Sequence, residues 1–90
     1  MVTIDRINSD YSVITVAGKY HALCNACGGS DSGAQDTLAL AVQFAIDQLN
    51  TLGGGSIYIK RNAIPSGITY GSTILIITDV GGIRKFYSNN

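Results

Sequence analysis

The sequence predicts an α+β fold, mainly short β-strands with one amphipathic helix at about 37–50. Three observations carry this. Leu38, Val42, Ala45, Ile46 and Leu49 recur at the spacing of one helical face. Short runs rich in Val, Ile, Thr and Tyr lie on both sides of that stretch, and these residue types favour strands. Eleven glycines punctuate the 90 residues and mark the junctions. One helix among several short strands is an α+β order, and the strands could form a hairpin, β-helix rungs or a small sandwich.

The chain reads as a single small domain over 1–90. Val2, Ile4 and Ile7 give a weak first strand, and Asn8–Ser9–Asp10 is turn chemistry. "YSVITVAG" (11–18) reads as a second strand, so 1–20 forms an N-terminal hairpin. Residues 21–35, with "CNACGGSDSGAQ" at 24–35, read as a loop of Gly, Cys and Asp. Asp36 is placed as the N-cap of a helical segment 36–52, its carboxylate accepting from amides of the first turn. Strands follow over 56–88: "SIYIK", then "ITYGSTILIITD" beyond Pro65, then "IRKFY" after a Val-Gly-Gly turn.

Gly53, Gly54 and Gly55 pose the question of a ligand loop. Phosphate-cradling loops run strand, glycines, helix, so that free amides and the positive dipole end meet the anion. Here the helix comes first. The glycines lie at its C-terminal end, where carbonyls repel a phosphate. They read as a helix stop and turn.

The stretch "SDSGAQDT…AVQFAIDQLNTLGGGSIYI", followed by a "GITY" turn, resembles the start of pectate-lyase-like right-handed β-helix proteins. The resemblance spans about residues 30–77. It implies that the helix caps the open end of a β-helix and that the strands after Gly55 begin its rungs. That family includes polysaccharide lyases and hydrolases and many trimeric bacteriophage tailspikes. The opening "VTIDRINSDYSVITVAG" is similar to repetitive β segments of phage fibre proteins.

Charged residues make up 13% of the chain, against roughly 25% in an ordinary soluble domain. Net charge is zero, and 46% of the residues are hydrophobic. Small soluble monomers carry more charge than this. Much of the surface is therefore expected to be covered by other subunits. No basic patch points to nucleic acid. The first ten residues lack the apolar core of a signal peptide, and no run is long enough to span a membrane.

Candidate chemistry is sparse. The acids are all aspartates, and only Asp31 and Asp36 are close in sequence. Glycoside cleavage needs two facing carboxylates, and Asp5, Asp10, Asp47 and Asp79 look scattered. "GGSDSGAQD" lacks the alternating acids of a calcium loop. His21, Cys24, Cys27 and Asp31 are the weak candidates for a metal site, short of a second Cys/His pair. Two small buried thiols or a local disulfide are the other readings of the cysteines. The tyrosines could stack on sugars or pack across strands.

The expectation is a non-enzymatic structural subunit with no catalytic residues and no cofactor. It self-associates, as a homotrimer where the tailspike resemblance holds, and meets other virion proteins of a capsid or tail. Its place is a virion, as fibre, spike or capsid decoration, without nucleic acid or membrane partners and with glycan contact as an option. Leu38, Val42, Ile46 and Leu49 dock the helix, and Ile57, Ile59, Ile74, Ile76 and Phe86 form the strand core or interface. The alternatives are the capping piece of a polysaccharide lyase or hydrolase, and a carbohydrate-binding module.

Overall fold

The computed structural model describes residues 9–61 and 63–89. The expected first strand at Val2–Ile7 lies outside them. The fold is α+β, with one helix on a six-stranded mixed sheet. The strands are β1 (Tyr11–Val16), β2 (Lys19–Cys24), β3 (Ser30–Asp31), β4 (Gly54–Ile59), β5 (Thr73–Val80) and β6 (Ile83–Ser88). The helix α1 is Leu38–Asn50, and a single 3-10 turn covers Asn25–Cys27. Sheet order is β3-β2-β1-β4-β5-β6. β1–β4 and β4–β5 run parallel, and the remaining neighbours run antiparallel.

The expected loop at 21–35 starts later than the sequence suggested. Lys19–Cys24 is a strand, and it pairs with β1 through a tight turn at Ala17–Gly18 with φ of 51° and 78°. Mirror-image turns of this kind match the twist of paired strands. "KYHALC" hides its strand character because its inward positions are small. Ala22 and Cys24 are buried directly under the helix.

Alternation places one residue of each pair on the helix-covered face. Tyr11 and Val13, Ala22 and Cys24, Ile57 and Ile59, and Ile74 and Ile76 join Ala41, Val42, Ala45, Ile46 and Leu49 in one core. Leu38 packs half-buried at its margin. The docking residues expected from the periodicity therefore do dock. Ile57 lies beside Ile76 on the next parallel strand, so equal side chains stack across the ladder.

Phe86 does not join them; it is 62% exposed. The two-residue turn Gly81–Gly82 sets Val80 opposite Ile83, which brings Ile76 opposite Tyr87 and Ile77 opposite Phe86. Tyr87 thus takes the inward position, half-buried against the core. Phe86, one residue earlier, is turned to the other face.

The helix is capped one residue later than expected. Thr37, in extended conformation, accepts a hydrogen bond at Oγ1 from the Leu40 amide, 3.2 Å away. Asp36 instead makes an ion pair with Lys19. Threonine, like aspartate, is among the preferred residues at this position. The helix ends at Asn50, and Gly53 takes a left-handed φ of 88°. Gly54 and Gly55 already belong to β4, where the sheet leaves no room for a side chain. A Cβ on Gly54 would lie 2.4 Å from the Thr73 carbonyl oxygen, and one on Gly55 2.6 Å from both Asp10 Oδ2 and Leu49 Cδ2.

Candidate functional site

The conspicuous cysteine region is a brace. Cys24 closes β2 with its sulfur inside the core, and the 3-10 turn brings Cys27 round to form a disulfide with it. The thiols are therefore bonded to each other and are not metal ligands. His21 Nδ1 lies 2.9 Å from Asp31 Oδ1 across the β2–β3 pair. Asp31 also accepts from the Gly33 amide at 2.8 Å. The histidine contact first, and that amide second, hold the Asp31 carboxyl below its ordinary value. The four candidates split into two separate pairs, His21 with Asp31 and Cys24 with Cys27, and together they clamp the loop. Among the described residues no group of three or more His, Cys and Asp side chains suits a metal ion.

The same loop closes one side of the sheet. Tyr20 and Gln35 exchange backbone hydrogen bonds of 2.9 and 2.8 Å, and Ser32 donates to the Ala22 carbonyl at 2.9 Å. Asn25 donates to Ser12 Oγ at 2.8 Å, tying the turn to β1. Arg61 lies over the Tyr20 ring and donates to its hydroxyl at 3.1 Å.

The second polar cluster lies on the face away from α1. Asp79 sits near the Gly81–Gly82 turn and is not alone. The Tyr58 hydroxyl donates to it at 2.8 Å and Arg84 Nε at 3.2 Å. Tyr58 comes from β4 and Arg84 from β6, directly opposite Asp79. The tyrosine hydrogen bond, then Arg84 and Lys60, hold the Asp79 carboxyl below its ordinary value. Together with Val80, Gly81 and Gly82 these side chains line a hollow of about 380 Å³. Lys60–Arg61 and Arg84–Lys85 are not on neighbouring strands, because β5 separates β4 from β6. Arg84 was legible in principle: an Asp and an Arg placed symmetrically about Val-Gly-Gly-Ile face each other once the glycines make a two-residue turn.

The other carboxylates also hold structure. Asp10 Oδ2 accepts from the Ser56 amide at 2.9 Å and fastens the start of β1 to β4. Asp36 carries the Lys19 pair, and Asp47 receives Gln43 at 3.0 Å on the outer face of α1. Asp5 lies outside the described residues. The tyrosines are packed: Tyr11 and Tyr58 are buried, and Tyr20, Tyr70 and Tyr87 are half-buried against the core. None of the five is an open stacking platform.

What the described surface presents is apolar side chains. Ile14, Val16, Leu40, Leu52, Val80, Ile83 and Phe86 are large and exposed. Three of them, Val80, Ile83 and Phe86, belong to the single β5–β6 hairpin at one edge of the sheet. Chemically, this arrangement can cover surface against another molecule. Among the described residues no helix is long and apolar enough to cross a membrane. The chain matches no protein-family model, no curated protein and no solved structure.

Proposed function

We propose that this protein is a non-enzymatic structural subunit that works by self-association within a larger assembly, in the class of virion fibre, spike or capsid-decoration proteins. The observation that carries the reading is the apolar β5–β6 hairpin on a chain with zero net charge and few charged residues. Exposed apolar side chains on both faces of one sheet edge suit a contact with another molecule.

Three features support the reading. Every described aspartate is engaged in holding the fold. The Cys24–Cys27 disulfide belongs with proteins that meet oxidising surroundings, virion surfaces among them. The in-register parallel stacking of β4 on β5, with Ile57 beside Ile76, is the kind of ladder that the likeness to β-helix proteins implies. That likeness supplies the viral context.

Light scattering on the purified chain tests it. The expected result is a mass that is a multiple of 9.4 kDa. A monomer at every concentration overturns the reading, as does polysaccharide cleavage by the chain that is lost on Asp→Asn substitution.

A further inference from the structure

β1 outlasts its parallel neighbour. Their register sets Tyr11 beside Ile57, Ser12 beside Tyr58 and Val13 beside Ile59, and it stops there. β1 runs on to Val16 paired with β2, while β4 ends at Ile59. The chain then turns out of the ladder, with the Arg61 amide bonded back to the Ile59 carbonyl at 2.9 Å.

A cavity of about 290 Å³ lies in this fork. Val13 and Ile59, both buried, and Leu38, half-buried at the first turn of α1, give it apolar walls. Thr15, Lys60 and Arg61 line it as well. Among the described residues no carboxylate lines it, unlike the hollow beside Asp79.

We propose that this cavity binds a small organic carboxylate with an apolar body, the body against Val13, Ile59 and Leu38 and the carboxylate on Arg61. The binding is independent of the self-association argued above.

Size and lining set the class of ligand. Sites for small molecules begin at about 300 Å³, so this one holds a short chain or a single ring. Apolar walls with a polar group at one side select an occupant that has both characters.

Charge sets the head group. Arg61 is already held in place: its guanidinium carbon stands 5.2 Å from the centre of the Tyr20 ring, and Nη2 donates to the Tyr20 hydroxyl at 3.1 Å. A guanidinium fixed in this way loses less freedom on meeting a ligand. Among the described residues, nothing accepts from its Nε or Nη1. Such a planar fork of donors matches a carboxylate. Lys60 is engaged elsewhere, so Arg61 is the anchor. Asp36, near the start of α1, is paired with Lys19 and brings no free negative charge to the site.

Thr15 supplies a second donor. Val16 and Lys19 flank the two-residue turn and form a hydrogen-bonded pair. Alternation therefore turns the N–H and C=O of Thr15 away from β2, to the side that β4 has left. The N–H there can donate to a bound carboxylate.

An NMR amide-shift titration of the full chain with sodium octanoate, with octanol and acetate alongside, tests this. The expected result is saturable shifts at Thr15, Leu38 and Ile59 with octanoate. Octanol, which lacks the charge, and acetate, which lacks the chain, should bind more weakly. Arg61→Gln should raise the octanoate dissociation constant at least about tenfold, the scale of one charge-assisted hydrogen bond, and leave octanol unchanged. Thr15→Glu, which sets a carboxylate at the cavity, should also weaken octanoate; it is the second check because Arg61 also holds Tyr20. Leu52→Lys, beyond the other end of α1, should change nothing. Octanoate that gives no saturable shift at the cavity residues overturns the site. Octanol bound as tightly as octanoate, or octanoate binding unaffected by either Arg61→Gln or Thr15→Glu, overturns the carboxylate assignment.

Discussion

Three adjacent glycines carry three different burdens. Gly53 takes a left-handed φ with open space around it, so Gly53→Ala should cost only about 1–2 kcal/mol of backbone strain. A Cβ on Gly54 would run into the Thr73 carbonyl, and one on Gly55 into Asp10 and Leu49. Alanine at either forces strands or helix apart, and the expected loss is larger, about 2–4 kcal/mol, strain and overpacking together. Urea denaturation of the three variants checks the order. A costlier Gly53→Ala would mean that the stop, not the close approach of β4, governs this segment. The glycine run itself was readable from its place after a helical period. The close approach was not, because it depends on Thr73 and Asp10, distant in sequence.

Asp79 makes a pH prediction. Its carboxyl lies below the ordinary value of 3.8 in the folded chain. A depressed carboxyl adds stability at pH above its unfolded value, and that stability is lost as pH falls through the folded value. Asp79→Asn should therefore destabilise the protein at neutral pH and flatten the acid-side decline below about pH 4. Thermal melts from neutral to acid pH, wild type beside variant, would show it. Parallel curves over the whole range would contradict it.

At the scale of elements, the helix and its two neighbours make the contrast. Thr37→Ala removes the cap that holds the Leu40 amide and should cost about 1 kcal/mol. Asp36→Ala breaks only a solvent-exposed pair with Lys19 and should cost less than Thr37→Ala. Chemical denaturation ranks them. The helix was visible because its apolar residues repeat at 3.6, and its first turn was misplaced by one residue because Asp and Thr both cap well. β2 was missed because alanine and cysteine beneath the helix carry little strand signal.

The loop after β2 is the second element-scale test. A disulfide closing so short a loop contributes about 2 kcal/mol by chain entropy. Cys24→Ala/Cys27→Ala should lose about that much and leave the helix signal in circular dichroism intact. Amide exchange should quicken at Ser32 and Gln35, whose hydrogen bonds cover the β2 edge. Unchanged exchange there would show that His21–Asp31 alone holds the loop.

At the scale of the whole molecule, the sequence disclosed the fold class and the buried stripe but left Phe86 open between core and interface. "IRKFY" offers two aromatics one residue apart, and only the register of β6 on β5 decides that Tyr87 turns inward and Phe86 does not. The composition argument, low charge with zero net charge, spoke of a covered surface without saying where. The structure places three of the exposed apolar side chains on one hairpin. Sedimentation equilibrium over a concentration series tests the account most directly. It should show a mass rising from 9.4 kDa to a multiple of it as concentration increases, and a mass fixed at 9.4 kDa throughout would contradict it.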